Sequence, residues 1–323
     1  MTVGILLVGG RGTRLAPITS EIPKPMLPVA CKPVTEHQIL AAQRAGITTL
    51  VLATSYLSEV FIPYFGDGSK WGIDLRYAVE KEPLGTGGAI ANAAAHLDKG
   101  VADEAVVIFN GDVLSHHNLA AHIEFHKNAD ADVTLHLIQV DDARAFGCVP
   151  TTADGQVEAF LEKMENPVTD WINAGCYVFN PRVISSIPLD TVVSVERETF
   201  PQLVANGAKV YGYLENAYWL DIGTPKALLK ASIDIVLRTG EGLVMPGAAV
   251  DPTATMSGGS SIGRNATVAA GAQIHGSIVE AGAVIGANAV ITDSFVAAGA
   301  IVENEAKIAS SFVTKGEILP IPQ

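Results

Sequence analysis

Short apolar runs alternate with segments of helical pattern through the first 240 residues. The runs at 3–8, 49–54 and 104–109 have the length of buried strands and are flanked by glycine or polar residues. The segments between them carry apolar residues at helical spacing, and two of these segments close with Gly46 and Gly66. Strands that alternate with helices indicate βαβ crossovers and a mainly parallel sheet. The pattern therefore predicts an α/β domain over residues 1–240.

The remaining elements of this domain follow the same two patterns. Further strands are predicted at 74–80, 132–140, 147–150, 156–160, 172–180 and 208–214. Helices are predicted at 35–45, 57–65, 88–97, 195–205 and 224–237. Asp154 and Gly155 form a turn pair that favours a hairpin, so the sheet is expected to be mixed. Thr224 and Pro225 suit the N-cap and first residue of the last helix.

The pattern changes after Gly240. Apolar residues recur every six positions from Val244 to Ile274, and two further sets beginning at Val279 and Val296 keep that step. A one-residue deficit between sets makes the longer repeat 17 residues. One inward aliphatic side chain per short strand is typical of the left-handed parallel β-helix, whereas a flexible linker keeps no aliphatic period. Residues 241–323 are therefore predicted to form a second domain of this kind.

Composition and charge limit the classes of binding partner that the chain is expected to have. The net charge of −13 argues against nucleic acid. The chain has no apolar run of the roughly 18–20 residues that a membrane span requires, and no basic leader, so no membrane is expected. Cys31, Cys148 and Cys176 are widely spaced. This spacing favours reduced thiols in a cytoplasmic protein over disulfides or a metal site.

One segment, Leu7 to Pro28, concentrates glycines and cations. Its glycines let the backbone approach a ligand, so that successive N–H groups can surround phosphate oxygens. Arg11, Arg14, Lys24 and Lys32 make this segment locally basic, which suits a polyphosphate with a divalent metal completing the neutralisation. A P-loop is excluded because Thr13 and Arg14, not Lys-Ser/Thr, follow Gly12. A dinucleotide fingerprint is excluded because the position of its third glycine is occupied by Leu15.

The whole run GGxGTRLxPxT, followed by PKPMLP, resembles the nucleotide-binding signature of the sugar-1-phosphate nucleotidyltransferases, the nucleotide-sugar pyrophosphorylases. The resemblance covers roughly residues 2–240 and extends to the C-terminal β-helix. It implies a Rossmann-like nucleotidyltransferase domain in which Arg14 and Lys24 are catalytic. The nucleotide-binding residues that it implies in this loop are Leu7, Gly9, Gly10, Gly12 and Thr13.

Two aspartates are the predicted metal ligands. Asp112 follows an apolar strand in an Asn-Gly-Asp sequence, and Asp221 lies in Trp-Leu-Asp-Ile-Gly. Carboxylates are hard ligands that Mg²⁺ prefers together with phosphate oxygens of a substrate. The resemblance implies that these two motifs share a catalytic Mg²⁺. From the residues alone, each aspartate is also consistent with a turn or capping role.

A third group of motifs resembles the sugar-phosphate site of the family. Phe160 to Lys163 matches F-x-E-K, in which the lysine contacts the sugar phosphate and the glutamate a sugar hydroxyl. The family usually has proline where this chain has Met164, which leaves the backbone setting of Lys163 open. Asn173 opens the sequence Asn-Ala-Gly, and Gly147 matches a glycine beside the hexose. The resemblance therefore implies that Gly147, Glu162, Lys163 and Asn173 bind the sugar phosphate.

The choice of base is predicted from Glu80. The segment Glu80 to Gly88 resembles the family's base-binding loop, and includes Gly85 and Thr86 as nucleotide-binding residues. A carboxylate only accepts hydrogen bonds, and guanine presents two adjacent donors. Glu80 therefore points to GTP, and the resemblance to the guanylyltransferases that act on mannose 1-phosphate and release GDP-mannose and pyrophosphate.

Three alternatives stay open beside this reading. One is a glucose-1-phosphate thymidylyl- or uridylyltransferase of the same fold. Another is an acyltransferase in the β-helix, which is disfavoured because His275 is the only histidine after Gly240. The last is an inactive regulatory subunit. It is disfavoured by the full set of Arg14, Lys24, Asp112, Lys163 and Asp221.

Two further expectations concern histidines and assembly. The group His116, His117, His122, His126 and His136 shows no ligand spacing, and is interpreted as ordinary surface or core histidines. The open coil end and apolar stack of the β-helix favour packing against another subunit, so a homo-oligomer is expected.

Overall fold

The computed structural model describes residues 2–10, 12–16, 18–20, 22–55, 58–98 and 105–321. Arg11, predicted to contribute to the basic loop, lies outside the described residues. Contacts divide the chain into two units. Unit 1 is Met1–Arg11 with Thr35–Trp219, and unit 2 is Gly12–Val34 with Leu220–Gln323. The domain boundary that the sequence predicts at residue 240 marks the change of repeat pattern, whereas these units are defined by contacts.

Strands and helices alternate through the first part of the chain. Its strands are β1 (Thr2–Leu7), β2 (Pro28–Val29), β3 (Lys32–Pro33), β4 (Ile47–Thr54), β5 (Asp74–Val79), β6 (Val106–Asn110), β7 (Val113–Ser115), β8 (Val133–Gln139), β9 (Gly147–Cys148), β10 (Leu161–Glu162), β11 (Trp171–Phe179), β12 (Val210–Leu214) and β13 (Trp219–Asp221). The α-helices are α1 (Val34–Arg44), α2 (Phe61–Phe65), α3 (Gly85–Ala94), α4 (Leu119–Asn128), α5 (Pro181–Ser185), α6 (Phe200–Ala205) and α7 (Pro225–Leu237). Short 3₁₀ turns occupy Thr13–Leu15, Ile18–Ser20, Lys24–Met26, Ser58–Val60 and Ser69–Trp71, and a π-turn occupies Val195–Thr199.

Unit 1 is built on one mixed sheet. Its strand order is β10-β9-β11-β6-β1-β4-β5, and β8 pairs with both β11 and β12. The pairs of β1 with β4, β1 with β6, β4 with β5 and β8 with β12 are parallel. Strand β11 runs antiparallel to β6 and β8. This is the mainly parallel, mixed α/β sheet that the alternating pattern predicts.

The core of unit 1 lies along these strands. Val3, Ile5, Val51 and Ile108 are almost fully buried, as expected for parallel strands that are covered by helices. Helix α3 packs on β1 and β4, and α4 packs on β8 and β12. The buried ring of Phe200 brings α6 into the same cluster. Burial of this apolar surface holds the strand ends in fixed positions.

Helix α7 lies near the start of the second segment of unit 2 and has the N-cap expected from its sequence. The Thr224 side chain accepts a hydrogen bond from the Ala227 N–H at 3.2 Å, and Pro225 occupies the first turn. Such a cap is worth about 1 kcal/mol. The helix packs on the short hairpin of β2 and β3. Ser232 Oγ there accepts the Ala30 N–H at 3.0 Å. The predicted cap is therefore confirmed.

Short strands form the rest of unit 2, and all of them pair in parallel except the last, which runs antiparallel to its neighbour. They are β14 (Gly242–Val244), β15 (Ala249–Val250), β16 (Thr255–Ser257), β17 (Ser260–Ile262), β18 (Thr267–Val268), β19 (Gln273–His275), β20 (Ile278–Val279), β21 (Val284–Ile285), β22 (Val290–Thr292), β23 (Phe295–Val296), β24 (Ile301–Val302), β25 (Lys307–Ala309), β26 (Ser311–Val313) and β27 (Ile318–Pro320). They stack into three sheets. Apolar side chains pair from coil to coil, as in Val250 with Val268 and Met256 with Ile274. The predicted β-helix is confirmed, and its handedness stays a prediction.

A ladder of serines lies at one corner of the coils. Ser260, Ser277, Ser294 and Ser311 follow one another 17 residues apart, and the first three are fully buried. The hydroxyls of the first three accept the backbone N–H of the serine in the next coil at 3.0–3.1 Å. Each also donates to a nearby carbonyl, as Ser277 does to His275. The ladder gives these backbone N–H groups an acceptor. It lies at the corner where the 17-residue repeat is one residue shorter than three six-residue steps.

Some predicted boundaries differ from the observed ones. The helix predicted at 35–45 begins one residue earlier, at Val34, and ends at Arg44. The helix predicted at 88–97 begins at Gly85, because glycines allow the helix to pack closely against a neighbouring segment. The segment predicted as one helix at 195–205 starts as a π-turn.

Candidate functional site

In unit 1, three groups of predicted site residues follow adjacent parallel strands. The strands β5, β4, β1 and β6 lie side by side and parallel. Thr54 pairs with Val79, and Leu7 pairs with Asn110, so the strands end at one edge of the sheet. Gly9, Glu80 and Asp112 come directly after these ends. Ligands of open α/β sheets bind at this edge, where the strand order reverses between β1 and β6.

The loop after β1 is tied to both neighbouring strands. The Val8 N–H donates to Ala53 O at 2.9 Å, and Leu7 O accepts the Gly111 N–H at 2.9 Å. A β-carbon on Gly9 would lie 2.9 Å from Ser55 Oγ. Gly10 has a φ of 116° and open space beside it. The backbone at Gly9 and Gly10 therefore has the access that a phosphate-binding loop needs.

Asp112 is positioned by a tight turn and by a side chain far away in the sequence. A β-carbon on Gly111 would collide with Leu7 O, so only glycine fits between β6 and β1. The buried Gln38 amide donates from Nε2 to Asn110 O at 2.7 Å and to Val113 O at 2.8 Å. Gln38 thus holds both sides of the turn that carries Asp112. Gln38 has no signal in the sequence, since a glutamine on a helix belongs to no motif.

Glu80 presents one engaged and one open oxygen. Its backbone N–H donates to Thr54 O at 2.8 Å, which extends β5 by one residue. Oε2 accepts the Leu84 N–H at 3.5 Å, whereas Oε1 is buried and has no partner among the described residues. This burial raises the pKa of the carboxyl. A buried carboxylate oxygen that lacks a donor is suited to accept a hydrogen bond from a bound ligand.

Gly85 and Thr86 begin α3 and pack against the segment before α6. A β-carbon on Gly85, whose φ is 72°, would lie 2.5 Å from Val193 O. Thr86 Oγ1 donates to Glu196 Oε2 at 2.7 Å and accepts the Val195 N–H at 2.9 Å. The Thr86 hydroxyl is thus engaged in packing, and its predicted contact with the nucleotide stays a prediction.

Gly147, Glu162 and Lys163 lie together on the β9–β10 hairpin. Gly147 pairs with Glu162, and a β-carbon on Gly147 would lie 3.0 Å from Glu162 Oε2. Lys163 Nζ lies 3.6 Å from Glu162 Oε1 and is 60% exposed. Lys163 has a φ of 52°, a strained conformation for a residue other than glycine. Met164 stands where the family usually has proline. It therefore follows a residue with an unusual backbone conformation.

Asn173 lies at a bulge of β11. The register of β11 against β8 shifts between Asn173 and Tyr177. Asn173 Oδ1 accepts the Gly175 N–H at 3.1 Å, and its Nδ2 donates to the buried Tyr177 hydroxyl at 2.8 Å. Trp219 Nε1 donates to Ala174 O at 2.9 Å. These bonds shape the predicted sugar-binding segment.

Unit 2 contains the other predicted residues. Gly12 and Thr13 begin a 3₁₀ turn, and Thr19 Oγ1 donates to Gly12 O at 2.9 Å. A β-carbon on Gly12 would lie 3.0 Å from Lys24 Cβ, so the glycine loop packs on the Lys24 segment. Lys24 is only 9% exposed. Unit 2 therefore holds a buried cation beside the loop.

Arg14, Lys24 and Asp221 are neighbours within unit 2. Lys24 Nζ lies 3.5 Å from Asp221 Oδ1. A β-carbon on Gly223 would lie 3.1 Å from Asp221 Oδ1 and 3.2 Å from Arg14 Nη2. Two cations and one carboxylate thus surround a glycine that leaves space between them. This combination suits phosphate groups together with a cation.

The donor chemistry of both predicted metal ligands fits a hard cation. Asp112 lies two residues after β6, Asp221 is the last residue of β13, and both are partly exposed. Oxygen ligands of this kind are preferred by Mg²⁺, and thiolates and imidazoles are not. A divalent metal is typical of nucleotidyltransferases.

The interpretation as surface or core histidines agrees with the burial of His122, His126 and His136. Among the described residues, the structure brings ligand atoms of His117, His122 and Cys176 within 4.8 Å of one another. These residues lie on different elements, so their spacing in the sequence carries no signal. All three cysteines are free thiols. Within the part of the chain that is described, no helix is long and apolar enough to cross a membrane.

Comparisons with known proteins show the family of the chain. A family model described as Nucleotidyl transferase matches residues 3–236. The mannose-1-phosphate guanylyltransferase of Mycobacterium tuberculosis (strain ATCC 25618 / H37Rv) is 49% identical over 286 residues, covering 85% of this chain and 79% of that protein. The mannose-1-phosphate guanyltransferase of Yarrowia lipolytica is 36% identical over 268 residues, covering 79% of this chain and 73% of that protein.

A solved structure extends the comparison. HddC from Yersinia pseudotuberculosis, complexed with GMP-PN, is 28% identical with a TM-score of 0.62, covering 73% of this chain and 100% of its own. The resemblance that the glycine loop and the later motifs indicate is thereby confirmed. The chain belongs to the nucleotidyl transferase family.

Proposed function

We propose that this chain transfers a guanylyl group from GTP to mannose 1-phosphate, giving GDP-mannose and pyrophosphate. It is an enzyme of the nucleotidyltransferase class. Two relatives that share most of their length with it are named for this reaction. The structural observation that carries the proposal is Glu80 Oε1, which lies at the carboxyl end of β5, is buried and has no hydrogen-bond partner among the described residues.

Glu80 favours guanine over a pyrimidine for a physical reason. Guanine has adjacent N1–H and N2–H₂ donors, and a carboxylate accepts both. A pyrimidine would place carbonyl oxygens against the carboxylate and leave buried polar groups unpaired, at about 1–3 kcal/mol each. Burial raises the pKa of Glu80, and the Leu84 N–H lowers it only in part, so two further donors from guanine would stabilise the carboxylate.

The reaction is an in-line displacement. A phosphate oxygen of the sugar 1-phosphate forms a bond to the α-phosphorus of GTP, and the bond to the departing pyrophosphate breaks. Because no covalent enzyme intermediate is needed, catalysis consists of positioning and charge neutralisation. We assign phosphate binding to Arg14 and Lys24, and binding of the attacking sugar phosphate to Lys163. The Gly9 and Gly10 backbone would bind nucleotide phosphate.

We assign Mg²⁺ as the divalent metal, with Asp112 and Asp221 as its ligands. Bound Mg²⁺ neutralises charge that develops on the reacting phosphates. Gln38 keeps the Asp112 turn in place through Asn110 and Val113. Lys24 lies beside Asp221 and lowers the electrostatic cost of gathering carboxylates around phosphate.

The sugar is assigned to the hairpin and bulge of unit 1. Gly147 packs closely against the Phe160 ring and the Glu162 carboxylate, and that carboxylate would accept a hydrogen bond from a sugar hydroxyl. Asn173 is held by Tyr177 and Gly175, which fixes the edge against which a hexose would pack. The choice of mannose rests on the relatives.

We also propose a cytoplasmic location and a homo-oligomer. The three free thiols suit a reducing compartment. On the outer face of the β-helix, Val284 and Ile301 pair in successive coils and are 40% and 63% exposed. An exposed aliphatic column of this kind is suited to a second copy of the chain. Light scattering of the intact protein would measure its mass.

The experiment is a pyrophosphate-release assay over GTP, dTTP and UTP, each with mannose 1-phosphate and glucose 1-phosphate. The wild type should have its highest kcat/KM with GTP and mannose 1-phosphate. Glu80→Gln keeps the size of the side chain but removes one acceptor and the charge. It should lower kcat/KM for GTP by roughly 10–100-fold, with a smaller loss or a gain for dTTP and UTP.

Glu82→Gln is the matched control, because Glu82 is an exposed glutamate in the same loop. It should keep the wild-type preference. A wild type that prefers dTTP or UTP would contradict the proposed substrate. If Glu80→Gln keeps the full preference for GTP, another group reads the base.

A further inference from the structure

A second cluster of ligating side chains lies in unit 1, apart from the phosphate and sugar residues described above. His117 lies in the turn between β7 and α4, His122 in the first turns of α4, and Cys176 in β11. One ligand atom from each lies within 4.8 Å of the others. His122 is fully buried and Cys176 is 4% exposed. The function proposed above uses none of the three.

In each of the two histidines, one ring nitrogen contacts a hydroxyl group and the other is open, with no hydrogen-bond partner among the described residues. His117 Nδ1 lies 3.0 Å from Ser115 Oγ, and His122 Nε2 lies 3.1 Å from Thr134 Oγ1. The other nitrogens, His117 Nε2 and His122 Nδ1, are buried without a partner among the described residues. Buried polar atoms are nearly always satisfied in proteins, so these two orphaned atoms require an explanation.

The hydroxyl contacts allow a proton arrangement suited to metal binding. If His122 Nε2–H donates to Thr134, the Thr134 hydroxyl can donate to His126 Nδ1, which lies 3.2 Å away. His122 Nδ1 then carries a lone pair. A donor bond from His117 Nδ1 to Ser115 likewise leaves a lone pair on Nε2. Histidines that bind metals have this arrangement, with the second nitrogen donating to a fixed acceptor.

Burial keeps the histidines of the cluster neutral, and it raises the pKa of the Cys176 thiol, so that the thiolate forms only when a metal ion replaces the proton. Burial lowers the pKa of His117 to about 3 and that of His122 well below its usual value, so both are neutral at pH 7. His136, stacked on His117 at 4.0 Å between ring centres, has a pKa lowered by burial to about 4. The histidines in contact therefore bring no positive charge to the cluster.

We propose that His117, His122 and Cys176 form a binding site for a zinc-type transition metal ion, with the two open imidazole nitrogens and the thiolate as ligands. The Cys176 thiol releases its proton to solvent when the metal–sulfur bond forms, and no oxidation is involved. This ligand set suits Zn²⁺, whereas Mg²⁺ prefers oxygen ligands. The site is thus chemically distinct from the pair Asp112 and Asp221.

The fourth position can be filled by water. A cavity of about 290 Å³ borders the cluster and is lined by residues that include His117, Cys176 and Arg44. In a tetrahedral zinc site the ligand atoms lie about 3.3–3.7 Å apart. The three residues would therefore move together by about 1 Å on binding. The bound ion would connect the turn after Asp112 to α4 and β11.

The test uses the full-length protein without a histidine tag, stripped of metal and dialysed against Zn²⁺ or Co²⁺ in excess Mg²⁺. The wild type should retain one Zn²⁺ per chain by mass spectrometry of metals. With Co²⁺ it should show tetrahedral absorption bands and a thiolate charge-transfer band. Cys176→Ser should lose the thiolate band and bind Zn²⁺ at least about 10-fold more weakly.

Cys148→Ser is the matched control, since Cys148 is buried but donates its thiol to Thr169 O. It should bind the metal as the wild type does. His117→Gln is the second ligand variant, used if Cys176→Ser does not fold, and should also weaken Zn²⁺ binding about 10-fold or more. The absence of stoichiometric Zn²⁺ or of a thiolate band in the wild type would overturn the proposal. So would unchanged affinity in a folded ligand variant.

Discussion

The serine ladder allows a sharp test of what holds the β-helix together. Ser277 is fully buried. Its hydroxyl accepts the Ser294 N–H at 3.0 Å and donates to His275 O at 2.7 Å. The change Ser277→Ala removes one oxygen and leaves the rest of the coil in place.

The expected cost follows from which groups lose their partner. His275 O also accepts the Asp293 N–H at 3.0 Å, so it stays satisfied in the variant. The buried Ser294 N–H loses its acceptor, which costs about 1–3 kcal/mol. The cavity left by one hydroxyl oxygen is too small to add much. We therefore expect the free energy of unfolding to fall by about 1–3 kcal/mol, and Tm by several degrees.

Ser311→Ala is the control for this reasoning. The Ser311 hydroxyl donates to Ala309 O, but among the described residues it accepts no N–H from a further coil. Its loss should change the free energy of unfolding by less than about 0.5 kcal/mol. Urea unfolding followed by circular dichroism compares the midpoints at constant slope. Equal effects of the two changes would refute the argument that the ladder acts by satisfying buried N–H groups.

The remaining predictions concern the site and the pH dependence of stability. Asp112→Asn and Asp221→Asn should each lower kcat by on the order of 100-fold or more, and full Mg²⁺-dependent turnover in either variant would remove that residue from the metal site. Gln38→Leu should lower kcat by about 10-fold and raise the Mg²⁺ concentration needed, with little change in KM for GTP, because two hydrogen bonds to the Asp112 turn are lost. Equal effects on kcat and KM would indicate a general structural role. Burial raises the pKa of Glu280 to about 7, so the folded chain favours the protonated carboxyl, and the free energy of unfolding should fall as pH rises from about 4.5 to about 7, by at most about 3 kcal/mol. Unfolding at pH 5 and pH 8 should show a smaller difference in Glu280→Gln, and an unchanged difference would place the titration elsewhere.

The sequence alone determined much of the architecture. In the β-helix, each short strand contributes one inward residue, so a six-residue aliphatic period is sufficient to specify the coils. In unit 1, the apolar runs at β1, β4 and β6 predicted a parallel sheet. Asp112 could also be placed directly after an apolar strand. These inferences succeed because strand pattern and strand ends are local properties of the chain.

Details that depend on packing did not follow from the pattern. The glycines that begin α3 look like a loop in the sequence. Position 85 requires glycine because a β-carbon there would lie too close to Val193 O. The serines at 17-residue spacing are visible in the sequence, but their role depends on a hydrogen bond to the next coil.

The parts of the site that only tertiary structure decided are contacts between distant residues. Gln38 reaches Asn110 across 72 positions, and no local pattern encodes that bond. His117, His122 and Cys176 come together because the turn before α4, α4 itself and β11 pack against one another in unit 1. Local spacing determines which elements form and where polar residues follow them. The packing of those elements determines which side chains meet, since a hydrogen bond or ligand geometry requires distances that sequence separation does not set.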